Sequence, residues 1–317
     1  MKPLFHDYLS GFRKGHGCHD ILTRLVEDWR EALDNGNSVG VVAIDLSKAF
    51  DCMPHGLLLA KLNAYGFSTN VCNLLKSYLV NRKQRVKIGN TCSEWINNRK
   101  GVPQGSILVP LLFNVFINDL LYHDISSKSY NYAEDNTLSY SDKDVNEIKV
   151  KLEADCEIAM KWFQLNNMKA NADKFQLMFL GRHHSNNEIT INIGNYSIQS
   201  SSSITILGVE FDNNLNFANH TDELCKQTSK QINALKRIKN YLDKPCKRIL
   251  YNSYISSNFN YCPVVWMFAN KSNREKLEKT NKRALRFVAN DSETEYEDLC
   301  RNEQQLNMNK RCISFFT

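Results

Sequence analysis

Residues 39–44 read Val-Gly-Val-Val-Ala-Ile, an apolar run without polar alternation, and the run stops at Asp45. So short a stretch, rich in β-branched residues, predicts a central strand covered on both faces. Its tip then delivers a carboxylate, which costs desolvation energy unless hydrogen bonds or a metal compensate it. Any fold for this chain has to bury the strand and accommodate the acid.

The flanking patterns supply the remaining elements. Ile21, Leu22, Leu25, Val26, Trp29 and Leu33 recur at helical spacing up to an Asn35-Gly36-Asn37 breaker. After Pro54 a helical pattern runs through Leu57-Leu58-Leu59 and Leu62, breaks at Gly66 and resumes from Val71 to Leu79. Residues 76–100 hold seven basic residues against the single acid Glu94, and Arg85 to Ile88 alternates as a strand does, so a positively charged ribbon is expected. Tyr130 to Tyr140 reads as a hairpin with Glu134 and Asp135 at its turn. The following helix, with Val145, Ile148, Leu152, Ala159 and Trp162, is amphipathic apart from Asp155. Strand signals return at 175–180, 189–198 and 204–211, and beyond Asn216 the pattern is helical.

With 317 residues, two connected lobes are expected, an α+β lobe and a helical lobe meeting near residues 212–220. The 42% apolar and 23% charged composition excludes a disordered or low-complexity chain, and the scarcity of Gly (13) and Pro (6) favours dense regular structure. The longest apolar stretch, Ile107 to Ile117, is interrupted by Pro110 and Asn114 and falls short of the roughly 20 residues of a membrane span. Met1 to Ser10 has no signal-peptide pattern, and the ten cysteines are scattered without a CxxC, so reduced thiols in an intracellular protein are expected. His16, Cys18 and His19 lack a fourth ligand at zinc-like spacing.

If the hairpin strand neighbours the central strand, Asp45, Glu134 and Asp135 converge. Three carboxylates packed together repel unless divalent cations bind among them, and such a cluster supports two-metal phosphoryl transfer with hard oxygen ligands suited to Mg²⁺. Metal-dependent nuclease chemistry would use the same acids, and a strand-tip Asp and an acidic turn are by themselves also compatible with solvated turns.

Three segments in order narrow this. Ala43-Ile44-Asp45-Leu46-Ser47-Lys48-Ala49-Phe50-Asp51, Gly101-Val102-Pro103-Gln104-Gly105-Ser106-Ile107-Leu108 and Tyr132-Ala133-Glu134-Asp135 closely resemble motifs A, B and C of reverse transcriptases, of the non-LTR, LINE or Jockey-like kind. Ser10 to His16 resembles the segment before motif A, Asn166 to Lys174 motif D, and Leu207-Gly208-Val209 motif E. Asn216 to Leu242, Tyr261-Cys262-Pro263 and Arg283 to Phe287 resemble the thumb and the region after it. The resemblance implies an α+β polymerase with residual fingers at 1–38, a palm with an antiparallel sheet and packed helices at 39–215, and a helical thumb at 216–317. It implies RNA-directed DNA synthesis from deoxynucleoside triphosphates on an RNA template and DNA primer with two Mg²⁺ ions, by an intracellular protein for which the nucleus is one compartment. Asp45, Glu134 and Asp135 would be the metal ligands, with the Leu46 carbonyl beside them. Phe50 matches the steric gate under the sugar, Gln104 and Gly105 the turn that meets the nucleotide, and Lys174 the lysine that protonates the departing pyrophosphate.

The chain also departs from the family pattern. Motif C usually reads Tyr-Ala-Asp-Asp, and the extra methylene of Glu134 moves its carboxylate by roughly a bond length. Ser10, Val109 and Ala172 stand where the family has glutamine, glycine and proline. Because the resemblance begins just ahead of motif A, the basic residues that clasp the triphosphate are expected to be missing. A catalytically inactive nucleic-acid-binding remnant is therefore the alternative reading. Binding is expected from the charge: the net +6 is exceeded locally, with Lys226, Lys230, Lys236, Arg237, Lys239, Lys244, Lys247 and Arg248 facing only Asp243 over 226–248. Residues 271–286 add seven basic residues against Glu275 and Glu278. Tyr251, Tyr254, Phe259, Tyr261 and Trp266 are expected to pack these helices.

Overall fold

The computed structural model describes residues 4–181, 188–263 and 269–313. The chain forms two compact units, Met1–Gly17 with Glu31–Ser201, and Cys18–Arg30 with Ser202–Thr317.

The first unit is built on a four-stranded antiparallel sheet of β1 (Ser38–Ile44), β2 (Lys128–Tyr132), β3 (Asp135–Asp142) and β4 (Gln176–Leu180), in the order β4-β1-β3-β2. The apolar run is the inner strand, with Val42 set between Leu177 and Leu138. Val39, Val41 and Val42 are buried, as an unalternated strand requires. The core continues through α2 (His55–Ala64), α3 (Thr69–Leu79), α4 (Leu108–Ile117) and α5 (Val145–Leu165). On α5, Ile148, Leu152, Cys156, Ala159 and Trp162 turn inward together with Asp155. The break in its apolar stripe has a reason: the Asp155 carboxylate accepts from Ser126 N (3.1 Å), Ser127 N (2.7 Å) and Ser127 Oγ (2.5 Å), anchoring the loop that enters β2. The expected signal at 189–198 is a hairpin, β5 (Thr190–Ile193) with β6 (Tyr196–Gln199), because Gly194 at φ +57° turns the chain.

In the second unit, α1 (Cys18–Asp34) contributes Cys18–Arg30 and buries the predicted Ile21, Leu22, Leu25, Val26 and Trp29. The signal at 204–211 is likewise a hairpin, β7 (Ser203–Ile206) with β8 (Val209–Asp212), turned at Leu207 and Gly208. Trp29 meets Phe211 edge to face at 5.6 Å. Its helices include α6 (Ala218–Arg237), α7 (Lys244–Leu250) running into a π-turn at Tyr251–Ser256, α8 (Lys271–Ala289), α9 (Tyr296–Asn302) and α10 (Met308–Ile313). The second unit takes up the chain at Ser202, ahead of the 212–220 expected, because β8 packs on α6 and Phe211 on Trp29. Tyr251 and Phe259 are packing residues, both fully buried; Tyr254 and Tyr261 are exposed, and Trp266 lies outside the described residues. Among the described residues, no helix is long and apolar enough to cross a membrane.

Candidate active site

The acids meet because of strand register. Ile44, the last residue of β1, pairs with Asn136, and Tyr132 pairs with Asp135 across the β2–β3 turn. Continued by one residue, that register sets Asp45 opposite Asp135 at one end of the sheet, with Glu134 on the turn between strands. Ala133 takes the left-handed φ of +55° that a two-residue turn demands. Buried amides hold this tip: Asn131 Nδ2 donates to Ala133 O (3.1 Å) and Asn136 Oδ1 (2.6 Å), and Asn136 Nδ2 donates to Glu134 O (3.0 Å).

A second support comes from the N-terminal segment. Ser10 N donates to Asn131 O (2.9 Å) and Asn131 N to Tyr8 O (3.2 Å), while Asn114 Nδ2 on α4 donates to Gly11 O (2.7 Å). Gly11 lies so close to the turn that a Cβ there would stand 2.4 Å from Ala133 N. Only glycine permits that approach.

Beyond Asp45 the chain is held from the other side. Leu46–Ser47 pairs with Lys169–Ala170, and Asn171 N donates to Asp45 O at 2.9 Å. This brings Lys174 Nζ to 3.7 Å from Asp45 Oδ2. The Pro-Gln-Gly turn reaches the same place through main-chain bonds: Gly101 N to Met53 O (2.8 Å) and Val102 N to Phe50 O (3.0 Å), with His55 Nε2 on Gly101 O (2.7 Å). Gly101, at φ +79°, sits where a Cβ would be 2.7 Å from Asp51 O. Gln104 Nε2 then donates to Asp51 Oδ1 (3.0 Å), and Gly105 comes next at φ +85°. Phe50 rests on Phe113 with ring centroids 4.3 Å apart, and Phe12 approaches it edge-on at 6.2 Å. Asp45, Leu46, Phe50, Gln104, Gly105, Glu134, Asp135 and Lys174 all line one cavity of about 1120 Å³.

The acids feel one another. Burial pushes the Glu134 carboxyl above its usual value; Asp135 and Asp45 push it further, Lys174 pulls it back, and Asp51 adds to the rise. Asp135 is raised by burial and then by Asp45. The donor set is entirely carboxylate oxygen and mutually repulsive, which fits a hard divalent cation better than zinc. Among the described residues, no three His, Cys, Asp or Glu side chains are grouped closely enough to hold a metal ion as they stand.

Sequence reasoning overlooks three contributors. Asp51 stands in the sequence pattern only as the end of motif A, yet it orients Gln104 and bears on Glu134. Phe12 lines the cavity in a left-handed conformation, φ +58°. Gly11 is a wedge under the acidic turn, and the sole sequence signal for that role is a glycine inside the Ser10–His16 stretch.

The predicted nucleic-acid contacts lie in the second unit. Lys226, Lys230, Lys236, Arg237 and Lys239 on or after α6 are exposed, Lys226 pairing with Glu223 at 3.1 Å. Lys236 and Lys239 line a cavity of about 510 Å³ with Arg283 and Arg286. Arg248 is engaged internally: its Nη2 is 2.8 Å from Glu303 Oε2, and Lys244 reaches the same carboxylate at 2.9 Å. Lys247 Nζ lies 5.7 Å from the centre of the Phe287 ring.

This arrangement has relatives. A probable RNA-directed DNA polymerase from transposon BS of Drosophila melanogaster is 30% identical over 298 residues, 90% of this chain and 33% of that protein. The RNA-directed DNA polymerase from mobile element jockey of the same species is 26% identical over 290 residues, 88% of this chain and 31% of that one. The chain thus spans about a third of the length of these curated relatives. Among solved structures, the fold resembles telomerase from Candida tropicalis in complex with a TWJ fragment of telomeric RNA, at 11% identity and a TM-score of 0.50 over 97% of this chain and 48% of that one. The model of the family described as reverse transcriptase (RNA-dependent DNA polymerase) matches residues 1–211, the stretch that contains every wall of the acidic cavity. With motif order, sheet register and family match in agreement, the chain belongs to the reverse transcriptase family, with relatives among the Jockey-like elements.

Proposed function

We propose that the chain is the polymerase core of an RNA-directed DNA polymerase, with its palm in the first unit and its thumb helices in the second. One observation carries the reading: an acid from the end of a central strand and two acids from the adjoining hairpin share a cavity with Phe50, Gln104 and Lys174. Asp45, Glu134 and Asp135 are the residues that would hold two Mg²⁺ ions, which when bound supply activation of a primer 3′-hydroxyl and charge neutralisation at the phosphates. The Phe50 ring, braced by Phe113, presents a flat wall on which a deoxyribose fits and a 2′-hydroxyl clashes. Gln104, held by Asp51, offers its amide to the incoming nucleotide and template, and Gly105 lets that substrate approach the main chain. Lys174 is 65% exposed, so its ammonium is free to swing from Asp45 to a departing pyrophosphate and protonate it. The exposed cations of α6 suit the phosphates of an RNA–DNA hybrid. On the same family reading the expected compartment is intracellular, with the nucleus one compartment the resemblance allows.

Glu134 favours a second reading, an inactive nucleic-acid-binding remnant, since a carboxylate displaced by about a bond length costs on the order of a hundredfold. Primer extension on an RNA template with Mg²⁺ decides between them. Extension that disappears in Asp45→Asn supports the polymerase. No extension by the parent or by Glu134→Asp, with hybrid binding retained, supports the remnant.

A further inference from the structure

The basic cavity of the second unit has a chemistry of its own. α6 and α8 pack against each other, and Arg283 Nη1 on α8 donates to Ser229 Oγ on α6 at 3.1 Å. Near the C-terminal ends of these helices, Lys236, Lys239, Arg283 and Arg286 line one space of about 510 Å³. Its wall contains one acid, Asp291, and that acid is committed to its own turn. One carboxylate oxygen accepts from Glu293 N (2.7 Å) and Thr294 N (3.1 Å), the other from Thr294 Oγ1. Those bonds hold the carboxyl down at about 2, and Arg286 adds only the last and smallest pull. Among the described residues none of the four cations forms a salt bridge, and Arg286 Nε is buried without a hydrogen-bond partner. Helix macrodipoles favour a cation in the last turn, which accounts for Lys236 in α6 and Arg286 in α8. They do not account for Arg283, one turn further in, or for an unsatisfied guanidinium nitrogen.

We propose that this cavity binds a terminal triphosphate group, carried on an RNA 5′ end or on a free nucleotide. Arg283 and Arg286 supply forked donors, and Lys236 and Lys239 supply neutralising charge. The concentration of charge selects the ligand. Four cations against one committed acid leave three net positive charges around a single space. A phosphodiester brings one negative charge and its strand spreads them along the backbone, whereas a terminal phosphomonoester brings about 1.5 to 2 with three acceptor oxygens. A triphosphate gathers its charges in one place, as the cavity gathers its cations. The site stands whether or not the chain polymerises, since none of its residues lines the acidic cavity.

The test is a calorimetric titration of the full chain with inorganic tripolyphosphate in EDTA, so that no metal carries the anion to the carboxylates. The parent should bind at one saturable site. Arg286→Gln should weaken binding about tenfold, the loss of a charged hydrogen-bonding partner. Lys239→Gln, a change at an exposed side chain that should melt with the parent, should weaken it about threefold. Where Arg286→Gln fails to fold, Lys239→Gln reads the same cavity. Competition then separates the sources. A 5′-triphosphorylated oligouridylate that displaces tripolyphosphate better than its 5′-hydroxyl counterpart assigns the strand end, and displacement by neither assigns the free nucleotide. Equal displacement by both overturns the site, because ordinary backbone then fills it. So does a parent without saturable binding, or binding that the folded variants leave unchanged.

Discussion

Gly11→Ala tests how firmly the acidic turn is wedged. The added methyl would lie 2.4 Å from Ala133 N, 3.1 Å from Ala133 Cα and 3.2 Å from Tyr132 C. All three atoms are main chain, so no side-chain rotation relieves the clash. Restoring ordinary contact needs about 1 Å of movement, and the choices are the Ser10–Gly11 segment or the turn that carries Glu134 and Asp135. The segment is tethered by Ser10 N on Asn131 O and by Asn114 on Gly11 O, so part of the strain passes to the turn. Overpacking of this kind costs about 1–3 kcal/mol, a fall of roughly 2–10 °C in melting temperature. A carboxylate misplaced by about 1 Å costs on the order of a hundredfold in rate. Thermal melting and primer extension on one preparation read the two effects separately. Gly56→Ala is the control: its Cβ position is open and it lies in α2, so it should be neutral or stabilising by up to about 1 kcal/mol. If Gly11→Ala melts and extends like the parent, the wedge does not exist.

Asp155→Asn should cost roughly 2–4 kcal/mol by urea unfolding, because an amide presents an N–H to at least one of the three donors the carboxylate now satisfies; an unchanged midpoint would show that the Ser126–Ser127 loop does not depend on it. In the second unit, burial pushes Glu303 upward, but hydrogen bonds and charge from Arg248 and Lys244 hold it below its usual 4.5. A depressed carboxyl stabilises fully above the unfolded pKa, and that stability drains away as pH falls through the folded value. Glu303→Gln should therefore lose about 1–3 kcal/mol at neutral pH and lose less than the parent on acidification, and parallel acid titrations of parent and variant would sink the idea.

The central strand was legible because burial on both faces erases polar alternation, and Asp45 was legible as the point where the run ends. The acidic turn was legible from Tyr130 to Tyr140 for the complementary reason, aromatic and apolar residues flanking a polar tip. Local spacing also located the apolar stripe of α1. What escaped depends on residues distant in the chain: Gly11 on Ala133, Gly101 on Asp51, Arg248 on Glu303. Asp155 was visible as an anomaly, but its partners precede it by 28 and 29 residues, ahead of both strands of the hairpin. The basic tract from Lys226 to Arg248 looked uniform as a string, whereas tertiary packing separates its exposed lysines from an arginine tied to a buried acid. The boundary at Ser202 escaped because a hairpin's allegiance is decided by the aromatic ring it meets, here Trp29.

Much of the frame around the cavity is joined by peptide groups: Ser10 N to Asn131 O, Gly101 N to Met53 O, Val102 N to Phe50 O, Asn171 N to Asp45 O. Every non-proline residue carries the same N–H and C=O, so a lineage can exchange most side chains along these segments without dismantling the architecture. Ser10, Val109 and Ala172 are such exchanges, and each still makes its main-chain bond, to Asn131, Ser106 and Phe175. What the frame refuses is a proline in place of a donating amide, or bulk where two strands of backbone touch. Copies of this sequence can therefore drift far in spelling while the cavity keeps its outline, and the first lesions to collapse it fall on inconspicuous residues rather than on the acids.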